Sequence, residues 1–364
     1  MKISEVISFF DEWAPPALAE EYDNVGLLVG REERIVTKIL VSLDTTEGVV
    51  EEAKHLGCEL IISHHPILFK GLKKITGQNY VAKTIESAIQ NQIGIFAIHT
   101  NLDNIQTGVN CKMAGRLQLT NLRPLRPASV KLLMLTFFVP VHFKEPVLNA
   151  VHQAGAGNIG NYSQCSYSAT GKGRFMPNQG SDPTVGTMGN LEEVEEIKVE
   201  VLVPRHLKQK VLAALFSTHP YKEVAYFLIE LENEWQDVGS GLIGFLPDPI
   251  SKQELIDLVK EKFYLKMLKF NDTEKKTFRK IAVCGGSGFF LLKDAVSENA
   301  DAYITSDIKY HDFFDVEGQL MLMDIGHFES EQFTSELIKE KLSNQFPNIA
   351  VLLSKTVTNP VSYA

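Results

Sequence analysis

Cysteine is scarce in this chain: Cys58, Cys111, Cys165 and Cys284 are the only four in 364 residues, and no two form a C-x-x-C pair. That spacing supplies neither a disulfide framework nor a thiolate zinc site, so the cysteines read as small core residues. Long hydrophobic runs are lacking as well; no apolar stretch approaches the roughly 20 residues that cross a bilayer. Positive charge is in deficit, with a formal net charge of −9, which argues against broad phosphate-backbone binding and makes nucleic acid an unlikely partner. The first 13 residues form an amphipathic pattern, apolar at Ile3, Val6, Ile7 and Phe10, without the apolar core and small-residue cleavage site of a secretory leader. The expectation is a cytoplasmic protein with no membrane partner. Its length favours two domains, or one domain with an insertion.

What is present is an alternation of helix-like and strand-like segments. Lys38–Asp44, Glu59–Ser63 and Ile93–Ile98 read as apolar strands, separated by helical patterns over Glu47–Leu56 and Val81–Gln92. Continuous apolar strands between helices signal βαβ units and a largely parallel sheet. The same grammar returns in Lys280–Val283, Ala302–Asp307 and Leu320–Ile325. Shifting residues 38–65 by 242 positions superposes them on 280–307 without a gap, and five of the 28 pairs are identical: Lys38/Lys280, Ile39/Ile281, Val41/Val283, Ala53/Ala295 and Ile62/Ile304. Two related lobes follow. Between them, past the turn-rich Leu122–Pro127, strand and helix patterns occur in β-α-β-β-α-β order, the ferredoxin-like arrangement. The predicted architecture is an α/β fold whose lobes, residues 1–124 and 241–364, share one site and complete one core domain, interrupted by an α+β insertion at 125–240.

Three strand ends carry potential ligands: Ser63-His64-His65-Pro66, His99-Thr100-Asn101-Leu102-Asp103 and Gly326-His327-Phe328-Glu329-Ser330-Glu331. Sites in open α/β sheets form outside the carboxyl ends of strands. Neighbouring residues of a strand face opposite ways, so His64 and His65 serve one site only if the strand stops there, as Pro66 suggests. His327 and Glu331 stand four apart on a helix start and share a face. Each piece has a plainer reading: a surface His-His loop, an ordinary i,i+4 pair, and Asp103 as a helix cap. Together they form a mixed N/O set suited to Zn²⁺, Mn²⁺, Fe²⁺, Co²⁺ or Ni²⁺. Three imidazoles and two carboxylates would leave a pair of ions unsaturated, with Asp103 and Glu331 as bridging candidates and positions free for water or substrate. Two ions about 3.5–4 Å apart would activate a nucleophile and clamp an electrophile.

These segments, with Asp23-Asn24-Val25-Gly26-Leu27 and Thr305-Ser306-Asp307, resemble the GTP cyclohydrolase 1 type 2 homolog family, the YqfO-like or Nif-three-like proteins. The resemblance covers 1–120 and 240–364, and the insertion is similar to CutA and PII signalling proteins. It implies a dinuclear metal centre on His64, His65, Asp103, His327 and Glu331, and a toroidal homohexamer with the sites facing an internal cavity. Ser306 departs from the Thr-Gly expected in that turn.

Of the other signals, Gly285-Gly286-Ser287-Gly288 fits no phosphate-loop motif and reads as a tight turn. Asp307 and His311 are candidates for catalytic proton transfer, or for structural hydrogen bonds. Asp44 and Asn101 could orient ligands, and His99 reads as a packed or hydrogen-bonded histidine. Two functions remain open. One is a metal-dependent hydrolase, with a nucleotide or other heterocycle as the small-molecule substrate by resemblance. The other is a non-catalytic, metal-binding hexameric scaffold or regulator.

Overall fold

A computed structural model describes residues 1–128, 132–160, 162–233 and 235–363. The chain divides into two compact units, Met1–Pro127 with Asp237–Ala364, and Ala128–Gln236.

In the first unit, β1 (Gly26–Val29), β2 (Lys38–Ser42), β3 (Leu60–Ser63) and β4 (Gly94–Ala97) enter one sheet. After β5 (Thr120–Ala128), the second unit contributes β6 (Leu132–Pro140), β7 (Tyr167–Phe175), β8 (Glu192–Pro204) and β9 (Tyr226–Glu230). The first unit then resumes with β10 (Trp235–Ile250), β11 (Lys269–Phe270), β12 (Phe278–Ser287), β13 (Ala302–Ser306) and β14 (Met321–Asp324). Finally β15 (Ala350–Leu353) pairs in parallel with β2, so the chain end returns to the first sheet rather than to the second. The sheets run β1-β4-β3-β2-β15 and β11-β14-β13-β12-β10-β5, with β7-β8-β6-β9 in the second unit.

The internal repeat is visible atom by atom. Ile39 pairs with Leu60 across β2 and β3, and Ile281 with Ala302 across β12 and β13; both members of each pair are related by the shift found in the sequence. Glu59 accepts hydrogen bonds from the backbone N–H groups of Thr37 and Lys38 at 3.0 and 2.9 Å. Asp301 accepts from Arg279 and Lys280 at 2.9 and 2.8 Å. Lys38 Nζ reaches the Leu56 carbonyl, and Lys280 Nζ reaches that of Glu298, again an equivalent pair. In both lobes an acid thus clasps the start of the strand, and the lysine at that start reaches the end of the helix that follows.

Local rules account for the helices. Thr46 and Asn79 accept hydrogen bonds from Val49 and Ala82 as N-caps, satisfying donors the helix cannot. Gly57 ends the first crossover helix, Glu47–Leu56, in a left-handed conformation at φ 68°. In the second lobe, Ile281, Val283, Ile304 and Met323 pack to one side of the sheet, while Ala282, Tyr303 and Leu322 pack to the other. Burial on both faces is what a parallel sheet requires and what makes its strands continuously apolar.

Two segments depart from the sequence reading. Leu122–Pro127 is not a turn but lies within β5, at the edge of the six-stranded sheet. An edge position tolerates the missing N–H groups of Pro124 and Pro127. The region 157–175 is strand only over Tyr167–Phe175.

In the second unit, the helices Lys144–Gln153 and Lys208–Thr218 follow β6 and β8. Its strand pairs are antiparallel, and its core is built from Phe137, Val139, Val151, Val199, Val201 and Leu215 among others. Among the described residues, no helix is long and apolar enough to cross a membrane.

Candidate metal centre

β3 stops at Ser63, whose hydroxyl donates to the His65 carbonyl at 2.9 Å. The turn frees His64 and His65 from strand alternation, so both rings reach the same side. β4 runs into the short helix Thr100–Asp103, and β14 into the helix His327–Glu331. Equivalent strand ends of the two lobes therefore deliver the side chains to one place.

Each imidazole is held by its Nδ1. That of His64 donates to the Ile98 carbonyl at 2.8 Å, an acceptor that fixes the proton on Nδ1 and leaves a lone pair on Nε2. His65 Nδ1 donates to Asp44 at 2.8 Å, His327 Nδ1 to Asp307 at 2.7 Å, and His99 Nδ1 to Asp23 at 2.8 Å. This is the oriented carboxylate–histidine pattern that presents Nε2 to a cation.

The Nε2 atoms and the acids converge. His65 Nε2 lies 2.9 Å and His327 Nε2 3.1 Å from Glu331 Oε2, and the two nitrogens are 3.3 Å apart. His64 Nε2 is 3.6 Å from Asp103 Oδ1 and 3.8 Å from Glu331 Oε1. His64 Nε2 and Asp103 Oδ1 are buried atoms with no hydrogen-bond partner. Unpaired polar atoms in the interior are costly, and a cation would satisfy both. Among the described residues, two sets of candidate ligand atoms each fall within 4.8 Å: those of His64, His65 and His99, and those of His65, His327 and Glu331.

Protonation follows the surroundings. Burial pushes His64 down to about 4, so it is neutral at pH 7 and able to donate its lone pair. Burial also acts against a charged His65, but Asp44 and Glu331 outweigh it and raise the ring to about 10. At His327, Asp307 and Glu331 overcome burial in the same way, raising it to about 11. Burial and the negative charge of Glu331 raise Asp103, whereas hydrogen bonds from the histidines hold Glu331 low despite its burial. Protons hold this cluster together where a cation would serve. Cys284 lines the same cavity, but burial pushes its thiol up and keeps it protonated.

The glycine run makes room for the cluster. A Cβ on Gly286, at φ 64°, would stand 2.4 Å from Glu331 Oε1, and one on Gly285 3.3 Å from Glu331 Cγ. The backbone N–H groups of Gly285, Gly286 and Gly288 are spent on Asn110, Ser330 and Thr305 at 2.9–3.0 Å. The cluster opens into a cavity of about 1120 Å³.

His64, His65, Asp103, His327 and Glu331 are thus brought together, with Asp44 and Asp307 behind two of them. Asn101 instead ties Ala14 to the His99 turn. His311 is not brought to the cluster: it is exposed on the turn after Asp307, packed against Tyr310 and Phe314, and does not line the cavity. The backbone of Asp307 is left-handed at φ 59°, which turns the chain away directly after it. His99 is hydrogen-bonded and packed, as its sequence position suggests, and also falls in one candidate ligand group; sequence reasoning gave Asp23 no task. Asp23 accepts from the Thr100 N–H and hydroxyl as well as from His99, and the one available signal was its place in the Asp23–Leu27 motif.

Comparisons with known proteins bear on the family and the fold. The family model of Duf34/NIF3 (NGG1p interacting factor 3) matches residues 1–360. The chain is 38% identical to a GTP cyclohydrolase 1 type 2 homolog of Halalkalibacterium halodurans, over 100% of both chains. It is 33% identical to the protein of that name in Bacillus subtilis, over 99% of this chain and 98% of the relative. Its fold is similar to a Bacillus cereus protein related to NIF3, with a TM-score of 0.89 at 36% identity, covering 100% of this chain and 99% of the other. A Staphylococcus aureus protein gives a TM-score of 0.79 at 29% identity with the same coverage.

Proposed function

This chain belongs to the Duf34/NIF3 family, and from that premise we propose that it is a metal-dependent hydrolase acting on a nucleotide or related heterocycle. Two divalent ions, zinc by preference, would be held by His64, His65, Asp103, His327 and Glu331. The observation that supports the reading is the convergence of two buried, partnerless atoms, His64 Nε2 and Asp103 Oδ1, on the Glu331 carboxylate that His65 and His327 also face. An N/O donor set without thiolate suits zinc and the other divalent transition metals. When bound, such ions polarise an electrophile and lower the pKa of water.

The chain's own residues do the rest. Ile98, Asp44 and Asp307 hold three imidazoles by Nδ1 and so aim each Nε2. Glu331, 3% exposed, sits between His65 and His327 as the bridging candidate. Asp307, which lines the cavity, is held below the usual carboxylate range by its hydrogen bond from His327. In this reading Asp307 positions His327 by accepting the hydrogen bond from its Nδ1, while His311 has no part at the centre. The insertion is read as a ferredoxin-like, CutA/PII-like module. The toroidal homohexamer and the cytoplasmic setting belong to the same proposal, on the family resemblance.

The test is turnover by metal-loaded protein on a panel of nucleosides and nucleotides, beside a His64→Ala, Glu331→Ala double variant. The proposal expects release of product by the wild type alone. Equal inertness of both proteins on every substrate, with fold and assembly preserved, would favour the non-catalytic scaffold instead.

A further inference from the structure

The cavity over the metal centre has a strongly one-sided chemistry. Apart from Asp103 and Glu331, its lining includes the carboxylates Glu20, Asp44, Asp307, Asp324 and Glu329. Lys269 is the single lysine or arginine among the described lining residues, and Asp324 occupies it at 2.5 Å. Arg126 stacks over the lining residue Phe290, but its guanidinium is bound by Asp294. The glycine turn, the one segment suited by composition to cradle phosphate, has three of its N–H groups spent inside the protein. Away from the histidines of the centre, a polyphosphate entering here would meet carboxylates with no free lysine or arginine among the described lining residues to offset them. Paired cations could hold one anionic group, and further phosphates would face the acids.

Aromatic surface is plentiful by contrast. Tyr22, Phe69, Tyr80 and Phe290 line the cavity and are 70, 52, 69 and 52% exposed, so their rings are open to a ligand there. Phe69 touches the histidine cluster, its ring set edge-on to His99 with centroids 5.7 Å apart. Planar aromatic surface beside carboxylate acceptors suits a flat heterocycle bearing N–H donors.

We propose that this cavity takes a neutral or cationic planar heterocycle, a nucleobase or nucleoside lacking phosphates, and discriminates against nucleoside triphosphates. This rests on the hydrolase reading and narrows its substrate class. Phe69 is the stacking platform, and the surrounding acids are the specificity element.

The experiment is calorimetric titration of the full-length protein, zinc-loaded and chelator-stripped, with guanosine, cytidine, their mono- and triphosphates, and inorganic triphosphate. At least one nucleoside is expected to bind, and each added phosphate to weaken binding about threefold or more. Inorganic triphosphate is expected not to compete. Phe69→Ala is expected to weaken nucleoside binding roughly tenfold with unchanged zinc content, and Glu329→Gln to narrow the gap between nucleoside and monophosphate. Affinity rising with phosphate number, or failure of both nucleosides to bind, would overturn the proposal. A protein that binds nucleosides but takes up no zinc would refute the metal centre and leave the heterocycle preference standing.

Discussion

Thr358 lies far from every predicted ligand in sequence, yet its hydroxyl donates to Asp44 Oδ2 at 2.6 Å, and Asp44 Oδ1 accepts from His65 Nδ1 at 2.8 Å. The segment carrying it is pinned by Glu52, which accepts from Ser354, Lys355 and Thr356. Replacing Thr358 by Val keeps the shape and removes the donor. A hydrogen bond to a charged group contributes about 1.5–3 kcal/mol. The Asp44 side chain is 32% exposed, so water recovers part of this, and a stability loss of about 1 kcal/mol is expected. That corresponds to roughly 2–4 °C in Tm. The larger effect falls on the metal, because partners behind a ligand typically contribute 10- to 100-fold in affinity. Competition with a chromophoric zinc chelator should show about tenfold weaker binding for Thr358→Val, with recovery in Thr358→Ser. Unchanged affinity in the Val variant, or a Ser variant as weak as Val, would refute the chain of contacts from the C-terminal segment to His65.

Gly286→Ala should cost about 1–2 kcal/mol from the left-handed backbone alone and displace Glu331, whose Oε1 would stand 2.4 Å from the new Cβ. Zinc binding should fall with it, while Gly71→Ala, where a Cβ meets nothing within 4 Å, should leave metal binding and Tm unchanged in a thermal melt. Acid should loosen both lobes through the equivalent clasps. Burial raises both carboxyls, but backbone N–H bonds at Glu59, and the Lys275 ammonium with backbone N–H bonds at Asp301, outweigh it and hold the folded pKa below the ordinary 4.5 and 3.8. Their contribution is therefore full above those values and is lost as pH falls through the lower folded ones. Asp301→Asn should flatten the decline of Tm below about pH 4; a slope identical to wild type would contradict the clasp.

Local rules made much of this legible. The crossover helix Glu47–Leu56 with its Gly57 stop was readable from periodicity and one residue's backbone freedom, and the lobe repeat from a gapless shift. The ligand set was readable because three strand ends carried chemically matched residues. Pairings between distant segments carry no such local mark. Nothing in Ala350–Leu353 says that it completes a sheet beside Lys38–Ser42, and nothing in Asp23 says that it will hold His99. Proline content made β5 resemble a turn, because an edge strand and a turn tolerate proline for the same reason, an N–H with no partner to lose. His311 was drawn in by its nearness to Asp307, whereas a single left-handed residue sends the following turn outward.

Whether His64, His65, Asp103, His327 and Glu331 enclose paired cations is read from metal analysis by mass spectrometry, on untagged protein purified without chelator and compared with Glu331→Gln. Two divalent ions per chain in the wild type, and a clear loss in the variant, is the expected result. A wild type that stays metal-free under excess zinc, or a variant that binds as fully as wild type, would contradict it.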